Sequence, residues 1–158
     1  MQNLPTDTVA ATAKWGAIED WDVSGVTDFS WAFTKHRTEA GGVQSFNSNS
    51  KVVSFNSDLG KWNTAKVVDL TSMFSSATTF TGIGLSKWIT TSFATLDRTF
   101  SSTAINADFG KWDTAEVTSL RSTFASCQQW VGVGLSKWNV AKVATFASLY
   151  VPYMRSLC

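Results

Sequence analysis

The sequence predicts an α/β solenoid, a short stack of about five coils in which each coil is a short parallel strand followed by a helix. Three observations predict it. An aromatic anchor recurs every 24 to 26 residues at Trp62, Trp88, Trp112 and Trp138, with a more distant copy at Trp21, and a period of that length marks stacked repeats. Apolar residues keep fixed offsets from each anchor. Three before it stand Ile18, Leu59, Leu85, Phe109 and Leu135; five after it, Val26, Val67, Phe93, Val117 and Val143. Eight after it stand Phe29, Leu70, Leu96, Leu120 and Phe146; twelve after it, Phe33, Phe74, Phe100, Phe124 and Tyr150. Finally, Trp62 to Trp112 and Trp88 to Trp138 are both 50 residues, so the chain reads as a duplicated pair of coils. Gly60-Lys61-Trp62 returns as Gly110-Lys111-Trp112, and Leu85-Ser86-Lys87-Trp88 as Leu135-Ser136-Lys137-Trp138.

Each coil opens at its tryptophan. In Leu135-Ser136-Lys137-Trp138-Asn139-Val140 apolar and polar residues alternate about the anchor, which places the indole inward and its neighbours outward on a strand. The next apolar positions are three and four apart. Val67, Leu70, Phe74 and Ala77 therefore share one face of a predicted helix of about three turns. Asp22, Asn63, Asp113 and Asn139, or the threonines two residues after three of the anchors, Thr64, Thr90 and Thr114, are suitable N-caps for it. The coil then returns through Gly82-Ile83-Gly84 or Gly132-Val133-Gly134, or through a shorter polar link. A single rung this short cannot bury its own Trp and Phe, so the stack supplies the core, at roughly 2 to 3 kcal/mol per large side chain covered.

One domain is the economical reading of 158 residues with a 44% hydrophobic share. Residues 1–17 read as an N-terminal segment or cap, 18–150 as the solenoid with an insertion at about 34–54, and 151–158 as a tail or cap. Net charge is +1 with 16% charged residues, so no global field exists to attract nucleic acid. The abundant serine and threonine suit a surface of hydroxyls. Cys127 and Cys158 form no paired zinc signature and no disulfide framework; Cys127 falls in the column of Ala77 and reads as a small core residue. No cofactor and no metal are expected. No apolar run approaches the roughly 20 residues that span a bilayer, and Met1 to Trp15 lacks the basic head and apolar stretch of a secretory leader.

The run Phe55-Asn56-Ser57-Asp58-Leu59-Gly60-Lys61-Trp62-Asn63-Thr64-Ala65-Lys66-Val67-Val68-Asp69-Leu70-Thr71-Ser72-Met73-Phe74 resembles the surface-protein repeats of about 25 residues often called BspA-like, a variant of the leucine-rich repeat. Their pattern, roughly Phe-Asn-x-x-Leu-x-x-Trp-Asp-Val-Ser-x-Val-Thr-x-Met-x-x-Met-Phe, can be followed from Ile18 to Tyr150. Most of the pattern's methionines are Leu, Phe or Thr in this chain, Met73 being retained. The resemblance implies a leucine-rich-repeat-like solenoid, adhesion or protein recognition at a cell surface or outside the cell, and no fixed catalytic residues.

Enzyme readings have little to build on. His36 is the only histidine and stands outside the repeat frame, so a histidine-based triad would have to use it. Asp58 and Asp108 occupy matching positions two coils apart, where turn-capping outweighs acid–base or calcium work. The pairs Gly82/Gly84 and Gly132/Gly134 lack the continuation of a phosphate loop and read as turns. A recognition surface is better represented. Lys61, Lys87, Lys111 and Lys137 precede four successive anchors and should line up at about 4.8 Å per rung, flanked by Asn63, Ile89, Asp113 and Asn139. Such a strip suits an anionic sugar, a carboxylate or an acidic partner; its bland counterpart is a lysine row that keeps a strand face soluble. The insertion, with Lys35-His36-Arg37, offers a second contact loop.

The expected function is therefore a non-enzymatic module of leucine-rich-repeat type that recognises a protein or a glycan. The alternative is an accessory scaffold or linker subunit held within a larger, membrane-associated or organellar complex, with aromatic ends such as Tyr150 and Tyr153 awaiting a neighbour.

Overall fold

A computed structural model describes residues 13–34, 52–128 and 130–149. The expected tail, most of the insertion, and Tyr150 lie outside them. Successive coils stack, but not as strand plus helix, so the α/β solenoid predicted above, and with it the leucine-rich-repeat-like rung, is overturned. Among the described residues no strand longer than a single bridge residue occurs, and the α-helix is confined to 13–15. The coils are built from turns.

The anchor segment is itself a turn. Short 3-10 turns cover Ile18–Asp20, Leu85–Lys87 and Leu135–Lys137, and in the alternate coils Trp62 and Trp112 donate their N–H groups to Leu59 and Phe109 O at 3.1 and 3.0 Å. A strand cannot form where the chain folds back every three residues. The one parallel bridge per coil lies seven residues after the tryptophan, in the series Asp28, Asp69, Thr95, Ser119 and Thr145.

The segment read as a helix fails for a specific reason. Two residues past each helical-looking Leu or Phe the backbone swings left-handed: φ is +61° at Trp31, +55° at Ser72, +53° at Arg98, +54° at Ser122 and +57° at Ser148. A second swing follows at Ser76, Ser102 and Ser126. An L-residue at positive φ ends any right-handed helix, and it fits the third position of a tight turn. The hydrogen bonds then alternate. Met73, Ser75 and Ala77 donate to the residue three before them, whereas Leu70, Ser72, Phe74 and Ser76 donate across to Thr95, Asp97, Thr99 and Ser101 of the next coil at 2.7 to 3.3 Å. Every second N–H closes a turn and every other one binds the neighbouring coil, so the spacing of three and four arises from turns rather than from helical pitch.

The core runs along the stack. Trp62, Trp88 and Trp112 are 3 to 5% exposed, and Phe74, Phe100 and Phe124 are fully buried. Indole centroids are 6.4, 6.2 and 6.3 Å apart from Trp62 to Trp138, with ring planes within 7° of parallel; the phenyl column from Phe33 to Phe124 steps by 5.6 to 5.9 Å. Each indole N–H also donates back one coil: Trp62 to Ile18 O, Trp88 to Leu59 O, Trp112 to Leu85 O and Trp138 to Phe109 O, at 2.9 to 3.1 Å. The anchor thus fills the core and binds the coil below. Phe80 and Trp130, eighteen residues after their anchors, complete the core of the long coils by packing 4.0 and 4.1 Å from Phe74 and Phe124.

Threonine is not chiefly a surface residue here. Thr64, Thr90, Thr99, Thr114 and Thr123 are 0 to 3% exposed, and their hydroxyls clamp coils together. The Thr64 hydroxyl accepts from Ile89 N–H at 3.0 Å and donates to Ile89 O at 2.9 Å; Thr90 does the same for Asp113 at 2.7 and 3.0 Å. A side chain interposed between two backbones holds them further apart than a direct ladder does.

The two glycine returns are set by close approach. Gly84 and Gly134 both have φ near +87°, and a Cβ on either would stand 2.1 to 2.2 Å from the N of Gly60 or Gly110 in the adjacent coil. Only glycine lets these backbones cross.

The candidate lysine row

Lys61, Lys87, Lys111 and Lys137 each sit at the end of the anchor turn, one residue before a buried or half-buried indole, and all four are exposed. Alternation about an inward tryptophan places them outward in either backbone form. The indoles next to them stack with near-parallel planes at centroid distances of 6.2 to 6.4 Å.

The row is not uniform. Lys61 donates to Asp20 Oδ1 at 2.5 Å, and that hydrogen bond, with the carboxylate charge, raises its pKa above the usual lysine value. Asp20 holds the lysine position in the first coil, so one end of the row is internally paired. Among the described residues the other ion pair is Lys142 with Glu116 at 2.6 Å; Lys87, Lys111 and Lys137 have no carboxylate within salt-bridge distance. Lys87 and Lys137 cross the preceding coil over its glycine: a Cβ built on Gly60 would meet Lys87 Cδ at 2.9 Å, and one on Gly110 would meet Lys137 Cδ at 3.3 Å. The stems lie on bare backbone.

The flanking polar residues have structural work. Asn63, Asp113 and Asn139 cap no helix; each accepts from the backbone N–H two residues on, Ala65, Ala115 and Ala141, at 3.0 to 3.2 Å. Asp58 and Asp108 do likewise for Gly60 and Gly110 at 2.8 Å. These are Asx turns, in which a side-chain oxygen replaces a turn carbonyl. Asp22 forms another with Ser24, whose N–H lowers the carboxyl pKa. Asn63, Asp113 and Asn139 remain exposed beside the lysines. His36 and Arg37 lie outside the described residues.

No group of three or more metal-ligating side chains forms among the described residues. Cys127 is buried with its thiol 2.9 Å from Phe100 O, and burial raises its pKa; it lies in the core, away from the lysines. No helix among the described residues is long and apolar enough to cross a membrane. What sequence reasoning missed is the threonine clamp, whose signal is a Thr two residues after three of the anchors, a position equally suited to a helix cap.

No curated protein and no solved structure matches the chain. The profile of a family described as Mycoplasma protein of unknown function, DUF285, matches twice, over residues 6–104 and 42–153. Overlapping matches are what a chain of repeats produces, and since together they span nearly the whole sequence, the protein belongs to the DUF285 family.

Proposed function

We propose that this protein is a non-enzymatic recognition module that binds an anionic protein or glycan partner through Lys87, Lys111 and Lys137. The observation that supports this reading is the set of three exposed lysines in matching positions of successive coils, none with a carboxylate partner among the described residues. Like charges in a row repel, and the coil stack does not need them: its interfaces are already closed by indoles, threonines and backbone ladders. The carboxylates nearest the row are engaged in their own turns, which argues against acid–base chemistry there. The BspA-like resemblance points the same way, toward surface recognition.

Retention on immobilised poly-glutamate and on a sulfated polysaccharide at low salt tests the reading. Lys87→Glu with Lys111→Glu should abolish retention, while Lys66→Glu with Arg98→Glu, the same charge change at other positions of the coil, should leave most of it. Equal behaviour of the two variants would end the proposal.

A second reading, an accessory subunit within a larger complex, draws on the last described coil. There Phe146 and Val140 are 46 and 43% exposed, whereas Leu120 and Thr114 in the same columns of the coil before are 2% exposed. Native mass measurement on material purified from its source separates a fixed assembly from a free module.

A further inference from the structure

The two ends of the described stack carry complementary halves of the interface that joins its coils. We infer that the protein associates with a second copy of itself head to tail, the last described coil of one molecule taking the first coil of the next. This stands apart from the lysine row as a binding surface. Inside the stack each coil donates forward: Leu120 and Ser122 N–H bind Thr145 and Ala147 O at 3.1 and 2.8 Å. The following coil donates back, Ala144 N–H to Thr118 O at 2.8 Å and the Trp138 indole to Phe109 O at 3.1 Å. In the last described coil the forward donors are Phe146 and Ser148, and the acceptors for a further coil are Ala144 O and Leu135 O. Among the described residues the Phe146 and Ser148 N–H groups and Ala144 O have no partner, and Leu135 O is bound only by Trp138 N–H of its own turn. The matching groups of the first coil are Asp28 O, Ser30 O and Thr27 N–H, equally without partners among the described residues. The Trp21 indole, with no coil behind it, reaches only Gly16 O at 3.4 Å. Each end therefore offers the groups that the other end lacks, and an unpaired edge of this kind is a template for a second chain.

The side chains agree with the backbone. Terminal repeats of a solenoid usually turn a polar face outward, but Phe146 and Val140 are 46 and 43% exposed in the last described coil. In the first coil Ile18, Trp21 and Val26 are half-buried, whereas Leu59, Trp62 and Val67 of the next coil are at most 4% exposed. Valine at the Val140 position accepts a covering coil, since Val23 holds the same position in the first coil and is 5% exposed with a coil stacked on it. Charge favours the same pairing. Lys61 binds Asp20 across the first two coils, so a lysine and an aspartate at this position of adjacent coils reach each other. Head-to-tail docking sets Lys137 of one molecule beside Asp20 of the next, again an opposite pair. Two last coils face to face would instead offer N–H groups to N–H groups. A head-to-tail contact leaves one end free on each side, so association continues past two copies.

Sedimentation velocity of the whole chain over a range of concentrations tests the inference. A series of species extending beyond the dimer and growing with concentration is expected. Phe146→Asp should weaken the association by more than about 10-fold, the loss of one large apolar contact. Asp20→Lys and Lys137→Glu should each weaken it by about 2- to 5-fold, the range of an exposed ion pair. The two together restore an opposite pair across the junction and should recover most of the association. All three side chains are exposed, and an unchanged thermal melt at a concentration where the protein is monomeric confirms that each variant folds. A monomer at every concentration overturns the inference and leaves the ends to be covered by residues 1–12 or 150–158 of the same chain, or by a different protein. A closed dimer, or association that Phe146→Asp or Asp20→Lys leaves unchanged, overturns it as well.

Discussion

At Thr90 a single hydroxyl does the work of two backbone partners. It accepts from Asp113 N–H at 2.7 Å and donates to Asp113 O at 3.0 Å, while the side chain is only 3% exposed. Thr90→Val preserves the shape and removes both bonds, stranding a peptide N–H and C=O between coils. An unsatisfied buried group costs about 1 to 3 kcal/mol, so Thr90→Val should lower unfolding stability by about 2 to 4 kcal/mol, read from the urea midpoint at constant m-value. The chain supplies its own contrast: Val140 holds this column in the last described coil and lies 43% exposed. Val140→Thr should accordingly change stability little. A Thr90→Val variant as stable as the parent would show that the clamp is geometric coincidence.

The coil as an element was half legible. Its inward columns were readable because burial selects residue type whatever the backbone does: Leu59, Trp62, Val67, Leu70 and Phe74 point to the core in a helix, a strand or a run of turns. The backbone was not readable for the same reason. Spacings of three and four from Val67 to Ala77 are shared by a helix and by successive three-residue turns, and the discriminating residue, Ser72, carries no signal, since serine at positive φ is rare and glycine would have announced the turn. The lysine row was visible as a row; its pairing at Lys61 with Asp20 was not, because it depends on which coil lies beside which. Ser72 itself makes the turn testable. Its φ is +55°, it is fully buried, and among the described residues its hydroxyl has no hydrogen-bond partner. Ser72→Gly removes a left-handed penalty of about 1 to 2 kcal/mol against roughly 0.5 to 1 kcal/mol of added chain entropy in the unfolded state. A small gain, up to about 1 kcal/mol, is expected. Ser72→Val, β-branched at the same φ, should cost about 2 kcal/mol or more. The order Gly above Ser above Val in thermal melts is the signature of a turn; in a helix glycine would rank below serine.

Across the whole molecule stability should be graded along the stack. Each coil meets only its neighbours, so the free energy of opening is set by the interfaces a coil shares rather than by one central core. Interior coils are sealed on both sides: Phe109, Val117 and Phe124 are 0% exposed and Leu120 is 2% exposed. In the last described coil the matching columns, Leu135, Val143 and Phe146, are half-buried or exposed, although Trp138 still donates to Phe109 O at 3.1 Å and stacks on Trp112. Among the described residues that coil contributes one interface where interior coils contribute two. Its backbone amides should therefore exchange with solvent deuterium through local opening, while those that bind across the interior, such as Ser72, Phe74, Leu96 and Phe100, should exchange only on opening of a larger part of the stack. Mass-resolved hydrogen exchange of peptides covering 135–149 and 67–127 reads the difference directly, with faster exchange expected in the former. A uniform rate across both would mean that the stack opens all at once, and that its stability is a property of the assembly of coils instead of a sum over their interfaces.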